Sequence, residues 1–216
     1  MCRGKASAKV AAVPLSLLAP ALCWSCGAAA DGARPLCRVC RGQLRWAEPG
    51  LEPALGVPAW APVAYRGPAR ALVRGLKFRG ARGLADELAA AMAAGAPDGL
   101  LQGALVPVPL SRARLRERGY DQAERLAYAL AGRTGLPLAA ILEREGRPGR
   151  QSARGRGARL ALAPGSVSAR GPAPSRSVLV DDVITTGATL AACAEALRYA
   201  GAREVVAVAY ARTPGR

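Results

Sequence analysis

The chain alternates between short apolar runs and amphipathic stretches over most of its length. Near-continuous apolar runs predict strands that are buried on both faces, and apolar positions spaced three or four residues apart predict helices. We therefore expect an α/β domain with a parallel sheet built from alternating strands and helices. The predicted strands span residues 62–65, 104–110, 138–142, 177–183 and 204–210, and the predicted helices span residues 69–78, 83–94, 121–132 and 187–200.

Two stretches depart from this alternation. Residues 49–60 are dense in proline and glycine, which predicts a linker between an N-terminal module of residues 1–48 and a main domain of residues 61–216. Residues 144–174 are rich in arginine, glycine, alanine and proline and contain no clear periodicity. A loop of this length is uncommon in a compact domain, so we expect it to be functional or mobile.

The composition excludes several kinds of chemistry. The 216 residues carry a net charge of +16 and contain no histidine, which excludes a histidine base, a Ser-His-Asp triad and any histidine-containing metal site. The scarcity of aromatic residues disfavours a base-stacking platform for single-stranded nucleic acid. The arginine surplus has two explanations: a surface selected to bind polyanions, or a genome-wide bias that also raises alanine, glycine and proline.

The first residues superficially resemble a secretory signal. Basic residues precede an apolar stretch at 10–22, but Pro14 and Pro20 interrupt this stretch, and it runs directly into Cys23. No other apolar run approaches the length that a membrane span needs. We therefore expect a cytoplasmic protein without membrane insertion.

Four cysteines form two C-x2-C pairs, at Cys23 and Cys26 and at Cys37 and Cys40. Each pair predicts a tight turn that directs two sulfur atoms to one point, and four thiolates favour Zn²⁺ in a reducing compartment. Two disulfides and an iron–sulfur cluster are the alternatives. A closed four-thiolate site has a structural role rather than a catalytic one. Cys193, inside a predicted helix, is interpreted as a buried apolar residue, because no histidine is present to activate it.

The strand predicted at 177–183 ends in two adjacent carboxylates, Asp181 and Asp182, and a hydroxyl-rich turn follows. The turn consists of Thr185, Thr186, Gly187, Ala188 and Thr189. At the start of a helix it presents free backbone N–H groups and hydroxyls, which suit a phosphate monoester. The carboxylates would repel that phosphate and so suit sugar hydroxyls or Mg²⁺. Ribose 5-phosphate satisfies both requirements, although the aspartates would also be explained as caps of the next helix.

The stretch from Val178 to Thr189 resembles the phosphoribosyl-pyrophosphate (PRPP) binding signature of type I phosphoribosyltransferases. This resemblance implies a type I phosphoribosyltransferase-like parallel sheet flanked by helices. It also implies that Asp181 and Asp182 hold the ribose and act in catalysis, that residues 185–189 hold the 5-phosphate, and that Mg²⁺ binds together with PRPP.

Further motifs are similar to the ComF family of competence proteins, in which a zinc ribbon precedes a phosphoribosyltransferase-like domain. They are the four cysteines preceded by Leu-Leu-Ala-Pro at 17–20, Leu-Lys-Phe-Arg-Gly at 76–80, Val-Pro-Val-Pro-Leu at 106–110 and Arg-Gly-Tyr-Asp-Gln-Ala-Glu at 118–124. The resemblance implies that Lys77, Arg118 and Gly119 contact pyrophosphate. It also implies a link to DNA uptake, with single-stranded DNA and a protein of the competence machinery as partners.

The long loop departs from the family's pattern, Gln-x2-Leu-x4-Arg-x2-Asn. Gln151 and Arg159 keep the glutamine and the arginine, whereas Arg154 and Leu162 replace the leucine and the asparagine. The loop's arginines therefore have three open interpretations: closure over pyrophosphate, contact with a nucleic-acid backbone, or a solvated segment. They are residues 147, 150, 154, 156 and 159.

Two hypotheses for function follow. In the first, the protein is a phosphoribosyltransferase, a glycosyltransferase of the pentosyl class, with an acceptor that the sequence does not identify. In the second, it binds PRPP or a nucleotide without catalysis and handles single-stranded DNA during transformation.

Overall fold

The computed structural model describes residues 21–32, 34–48, 50–78, 83–144 and 166–214. The arginines of the long loop named above, and the Leu-Leu-Ala-Pro motif, lie outside these ranges. The helices are α1 (Arg38–Gly42), α2 (Gly67–Phe78), α3 (Leu84–Gly95), α4 (Arg112–Arg118), α5 (Gln122–Thr134) and α6 (Ala188–Tyr199). The strands are β1 (Glu52–Ala54), β2 (Val57–Trp60), β3 (Val63–Ala64), β4 (Ala104–Pro107), β5 (Leu142–Arg144), β6 (Val167–Ala169), β7 (Arg176–Ile184) and β8 (Glu204–Arg212).

Six strands form the main sheet in the order β1-β2-β8-β7-β4, and β3 pairs with the far end of β8. All pairings in this sheet are parallel except that of β1 with β2. The two central strands, β7 and β8, pair over eight residue positions, and β5 pairs with β6 in a separate antiparallel ribbon. This topology confirms the predicted mostly parallel sheet flanked by helices, and a four-cysteine cluster precedes it.

Successive side chains of β7 enter two different hydrophobic cores, as the alternation of a strand requires. Val178 and Val180 pack in the core that contains residues of α2, α3 and α5, whereas Leu179 packs in the core that contains α6. Helices therefore cover both faces of the sheet, which explains why Val178, Leu179 and Val180 are apolar in succession. The ends of these buried strands are the places where polar side chains reach solvent.

Residues 49–60, predicted as a linker, contain the hairpin β1–β2 of the main sheet. Leu55 and Gly56 form its two-residue turn, both with positive φ (50° and 81°). Val57 and Ala59 are buried, and β2 pairs with the central strand β8. Pro53, Gly56 and Pro58 therefore belong to a tight hairpin. The domain bounds themselves stay a prediction.

Other elements also differ from the predicted pattern. The strand expected at 138–142 is reduced to one parallel bridge between Leu138 and Leu105, and the strand β5 begins at Leu142. The helix α4 and the strand β6 carry no strong periodicity in the sequence, since α4 contains no buried residue and β6 is only three residues long. Short, exposed elements lack the apolar pattern that sequence reasoning needs.

The cysteine-containing module packs directly against α2. Cys23, Cys37 and Cys40 are buried in the same core as Leu72 and Val73 of that helix. At Gly75, also in α2, an added β-carbon would lie 2.8 Å from the ring of Trp24. The module and the helix therefore meet at a position where only glycine leaves enough room for the indole ring.

None of the helices in the described ranges combines the length and the apolar character that a membrane span requires.

Candidate functional site

A cavity of about 230 Å³ opens at the carboxyl end of β7, where ligands bind in open parallel sheets. Of the residues predicted from the sequence, the cavity brings together Lys77, Arg118, Asp181, Asp182, Thr185 and Thr189. These residues come from the end of α2, the end of α4, the end of β7 and the start of α6. Thr186, Gly187, Ala188 and Gly119 do not line the cavity.

Asp182 is the most buried carboxylate of this site, with a side chain that is only 3% exposed. Its Oδ1 atom forms an ion pair with Lys77 Nζ at 2.9 Å. Its Oδ2 atom is buried and has no hydrogen-bond partner among the described residues. A buried carboxylate oxygen without a partner is costly, so this atom is suited to bind a hydroxyl group or a cation.

Asp181 keeps some accessible surface but lies deep in the cavity, with protein on most sides. Burial and, next, the negative charge of Asp182 raise its pKa to about 8. The backbone N–H of Asp182 donates to Asp181 Oδ1 at 2.8 Å, and this bond and the charge of Lys77 oppose the increase. Near neutral pH the Asp181 carboxyl is therefore largely protonated.

The turn after β7 is held in place by contacts on both sides. Gly187 has φ of 83°, and a β-carbon there would lie 2.8 Å from the backbone and the side chain of Ala54 in the hairpin β1–β2. Thr213 Oγ1 donates to the carbonyls of Ile184 and Thr185. Only glycine fits both the backbone conformation and the space. Ala188 N donates to Thr186 Oγ1 at 3.4 Å, but the N-cap Gly187 provides no side-chain cap, so the next N–H groups of the first turn of α6 are suited to bind an anion.

Gly119, predicted beside pyrophosphate, is the C-cap of α4, in the left-handed conformation with φ of 74°. The preceding residue, Arg118, donates from Nη1 to Gln122 Oε1 at 2.9 Å, and its guanidinium lies 4.9 Å from the centre of the Phe78 ring. The hydroxyl of Tyr120 donates to the carbonyl of Leu76. These contacts join the segment after α4 to the end of α2, and so bring Arg118 to the same cavity as Lys77.

Asp121 organises the start of α5. Its Oδ1 accepts hydrogen bonds from the backbone N–H groups of Ala123 and Glu124, and its Oδ2 accepts one from Leu110 N at 2.9 Å. Burial raises the pKa of Asp121, although these hydrogen bonds oppose the shift. Asp121 is therefore the N-cap of α5. Its hydrogen bond with Leu110 N also fixes the segment that follows β4 next to the site.

Four polar residues that line the cavity were not predicted from the sequence: Tyr65, Arg114, Gln122 and Arg144. Gln122 lies within the quoted Arg-Gly-Tyr-Asp-Gln motif, so its neighbours could have indicated it. The two arginines carried no distinguishing signal in a chain with 31 basic residues. A second cavity, of about 190 Å³, lies near Trp60 and Arg212 and contains none of the predicted residues.

The fold places the four cysteines of the predicted metal site close together. The sulfur atoms of Cys23, Cys26, Cys37 and Cys40 all lie within 4.8 Å of one another, and none of them forms a disulfide. Burial works against ionisation of Cys23, but hydrogen bonds from nearby backbone N–H groups lower the pKa of this thiol to about 6. Four converging thiols fit one tetrahedral metal ion and disfavour the disulfide alternative. Cys193 is buried, and burial raises its pKa to about 12, in agreement with an apolar role.

No protein-family model matches the chain, and no curated protein matches it. Among solved structures, the chain is similar to one described as the allosteric regulatory enzyme of purine biosynthesis, with 23% sequence identity and a TM-score of 0.36. The match covers 59% of this chain and 24% of that chain, so this protein spans about a quarter of the length of that enzyme. The similarity to the ComF family stays an expectation from the sequence.

Proposed function

We propose that this protein binds Mg²⁺·PRPP in the cavity at the end of β7 and transfers the phosphoribosyl group to an acceptor. The observation that carries the proposal is that carboxylate groups and phosphate-binding groups line the same cavity. Asp181 and Asp182 line the same cavity as Thr185 and Thr189, and Lys77 pairs with Asp182 there. Carboxylates for sugar hydroxyls and a helix start for a phosphate are what a ribose 5-phosphate moiety requires.

The two carboxyls have different surroundings, so we assign them different parts in binding. Asp182, paired with Lys77, accepts a hydrogen bond from one ribose hydroxyl through its Oδ2, which has no partner among the described residues. Asp181, whose pKa is raised to about 8, both donates and accepts at the second hydroxyl near neutral pH. The hydroxyls of Thr185 and Thr189 and the N–H groups of the first turn of α6 hold the 5-phosphate.

In the transfer step, the bond between C1′ and the pyrophosphate oxygen breaks, and the electron pair leaves with pyrophosphate. An electron pair of the acceptor forms the new bond to C1′, and the proton that the acceptor loses passes to solvent. Lys77 and Arg118 stabilise the negative charge that develops on this group, and Asp182 stabilises the positive charge of the sugar. The oxygen donors of the aspartate pair also fit Mg²⁺, which supplies further neutralisation of pyrophosphate when it is bound. Among the described residues we assign no general base for the acceptor.

Isothermal titration of the full chain with Mg²⁺·PRPP tests the binding part of the proposal. We expect Asp182→Asn to weaken binding by about tenfold or more, because it removes an ionised acceptor of a hydroxyl hydrogen bond. The matched control is Asp98→Asn, which changes an exposed aspartate outside the cavity. Unchanged binding in Asp182→Asn would contradict the site assignment. A pyrophosphate-release assay with candidate acceptors tests transfer, and binding without release for every acceptor would contradict catalysis.

A second candidate function is contact with single-stranded DNA. It is favoured by α4, a helix of seven residues on which Arg112, Arg114 and Arg116 are all exposed beside the cavity. Arginines of this kind bind phosphate backbones with a steep dependence on salt. The link to DNA uptake and to competence partners rests on the sequence resemblance alone. A DNA affinity that is insensitive to salt, or unchanged in Arg112→Gln/Arg116→Gln, would contradict this candidate.

We further propose that the four cysteines hold one structural Zn²⁺ ion. Four converging thiols are the ligand set that zinc prefers, and the burial of Cys23, Cys37 and Cys40 closes the site to substrates. In this proposal the metal stabilises the module that packs on α2, and it takes no part in the transfer step.

A further inference from the structure

Arg212, the last residue of β8, joins the hairpin β1–β2 to the centre of the sheet. Its Nη1 donates to the carbonyl of Glu52 at 3.0 Å and to that of Ala59 at 3.5 Å. Its Nη2 donates to the carbonyl of Pro53 at 3.0 Å. Glu52 and Pro53 belong to β1, whereas Ala59 belongs to β2. One guanidinium group therefore bridges both strands of the hairpin.

The backbone of Arg212 is fixed on both sides, because the residue pairs with Ile184 of β7 and with Ala64 of β3. Its guanidinium group also forms an ion pair with Glu52, at 3.3 Å, but the side chain of that glutamate is 76% exposed. An exposed ion pair contributes little to stability. The charge-assisted hydrogen bonds to the backbone carbonyls are therefore the main hold that Arg212 has on the hairpin.

The hairpin that Arg212 holds borders the turn after β7. Ala54, the last residue of β1, is buried, and a β-carbon added at Gly187 would lie 2.8 Å from its carbonyl carbon and its side chain. Ala54 directly follows Pro53, whose carbonyl accepts from Arg212. The position of Ala54 against Gly187 therefore depends on where Arg212 holds β1. Arg212 itself does not line the cavity at the end of β7.

From these contacts we propose that Arg212 is a positioning residue for the 5-phosphate. It fixes the hairpin β1–β2, and the hairpin keeps the turn of residues 185–189 in the conformation that binds phosphate. The inference rests on the proposed function, which assigns the 5-phosphate to this turn. Donors bind an oxyanion well only when their own positions are held by a supporting layer of contacts, and the hairpin supplies that layer here.

The test compares Arg212→Met with a matched variant, Arg176→Met. Arg176 is the first residue of β7, at the opposite end of the sheet, and it donates to the carbonyl of Gly99 at 2.6 Å and pairs with Glu204 at 3.0 Å. Both variants lose one positive charge, one ion pair and at least one bond from a guanidinium to a carbonyl. Thermal unfolding checks that each variant is folded, and Arg212→Gln replaces Arg212→Met if the latter is not.

Each protein is titrated with ribose 5-phosphate and with Mg²⁺·pyrophosphate. We expect Arg212→Met to bind ribose 5-phosphate about tenfold more weakly than Arg176→Met does, because the turn loses its support. Pyrophosphate affinity should be the same in both variants, since its proposed contacts, Lys77 and Arg118, lie on α2 and α4. A purely structural defect would weaken both ligands alike, and that result would contradict the inference.

A double variant tests the route through the hairpin, with Mg²⁺·PRPP as the ligand. We expect Arg212→Met/Gly187→Ala to bind about as weakly as Gly187→Ala alone, because the added methyl group already separates the turn from Ala54. If the losses of the two single variants multiply instead, Arg212 does not act through this contact and the inference is wrong.

NMR spectra of the ligand-free protein separate this inference from the proposed function. We expect the amide signals of Thr186 and Gly187 to shift or broaden in Arg212→Met and to stay in place in Arg176→Met. If wild-type protein binds neither ribose 5-phosphate nor PRPP while these signals respond, the proposed function fails and the control of the turn by Arg212 stands. If wild-type protein binds ribose 5-phosphate and the two variants do not differ in affinity or in these signals, the inference fails and the proposed function stands.

Discussion

Lys77 Nζ lies 2.9 Å from Asp182 Oδ1, and this ion pair joins the last turn of α2 to the end of β7. Both partners are largely shielded from water, with side chains that are 20% and 3% exposed. A carboxylate in such a place needs a permanent counter-charge, because water does not stabilise it. The pair therefore sets the separation of two elements that carry residues of the site.

Lys77→Met is expected to destabilise the protein by about 3 kcal/mol, since it leaves the buried charge of Asp182 without a partner. Urea unfolding measures the loss. The double variant Lys77→Met/Asp182→Asn removes the unpaired charge as well, and we expect it to recover part of the stability. Arg74→Met, an exposed change in the same helix, is the control. Equal stability of Lys77→Met and Arg74→Met would show that the ion pair contributes nothing.

The central part of the fold could be predicted because burial on both faces leaves a clear trace in the sequence. β7 and β8 are continuous apolar runs, and they lie where the pattern predicts them. The hairpin β1–β2 was not predicted because both of its strands contain proline, which usually argues against a strand. Pro53 and Pro58 lie opposite each other in the register, so that both missing N–H groups fall at the same level of the ladder.

Only the part of the candidate site that consists of neighbouring residues in the sequence could be predicted. Asp181 to Thr189 is one segment that contains the end of β7 and the start of α6. Its carboxylates, hydroxyls and helix N-terminus could therefore be recognised from the sequence. Arg114 and Arg144 are thirty positions apart in the chain, yet both line the cavity. The contact between Gly187 and Ala54 joins residues more than a hundred positions apart. Neither relationship leaves a local pattern in the chain.

Asp181→Asn is expected to change how stability depends on pH. The pKa of Asp181 is about 8 in the folded protein, whereas an aspartate in an unfolded chain has a pKa of about 4. Between these values the folded state holds a proton that the unfolded state has lost, so this residue lowers stability as pH rises from about 4 to about 8. Asparagine removes the titration, and the variant should gain stability relative to wild type across that range and level off above it.

Urea unfolding of Asp181→Asn and wild type at intervals from pH 5 to pH 9 measures this difference. Asp98→Asn, at an exposed position, provides the comparison for the loss of a surface carboxylate. If the curves for wild type and Asp181→Asn stay parallel through this range, the folded-state pKa of Asp181 is not raised.

Gly187→Ala is expected to impair both stability and binding of ribose 5-phosphate. Alanine in the left-handed conformation costs about 1 kcal/mol, and its β-carbon would also displace Ala54 in the hairpin. Gly135→Ala is a matched control, because Gly135 has a similar φ of 72° but no atom within 4 Å of an added β-carbon. Calorimetry with ribose 5-phosphate should show weaker binding in Gly187→Ala only. A similar stability loss and normal binding in both variants would mean that the contact with Ala54 does not shape the turn.

Removal of the metal is expected to destabilise the N-terminal module and, through it, the packing on α2. Purified protein should contain about one Zn²⁺ per chain, and Cys37→Ser should lose it together with thermal stability, because a four-thiolate site contributes folding free energy. Cys193→Ala, a buried cysteine outside the cluster, should keep its full metal content. Elemental analysis and thermal unfolding, before and after treatment with a chelator, give both readouts. A chain that binds no metal, or that keeps it in Cys37→Ser, would rule out a four-cysteine zinc site, since all four sulfur atoms converge on one point.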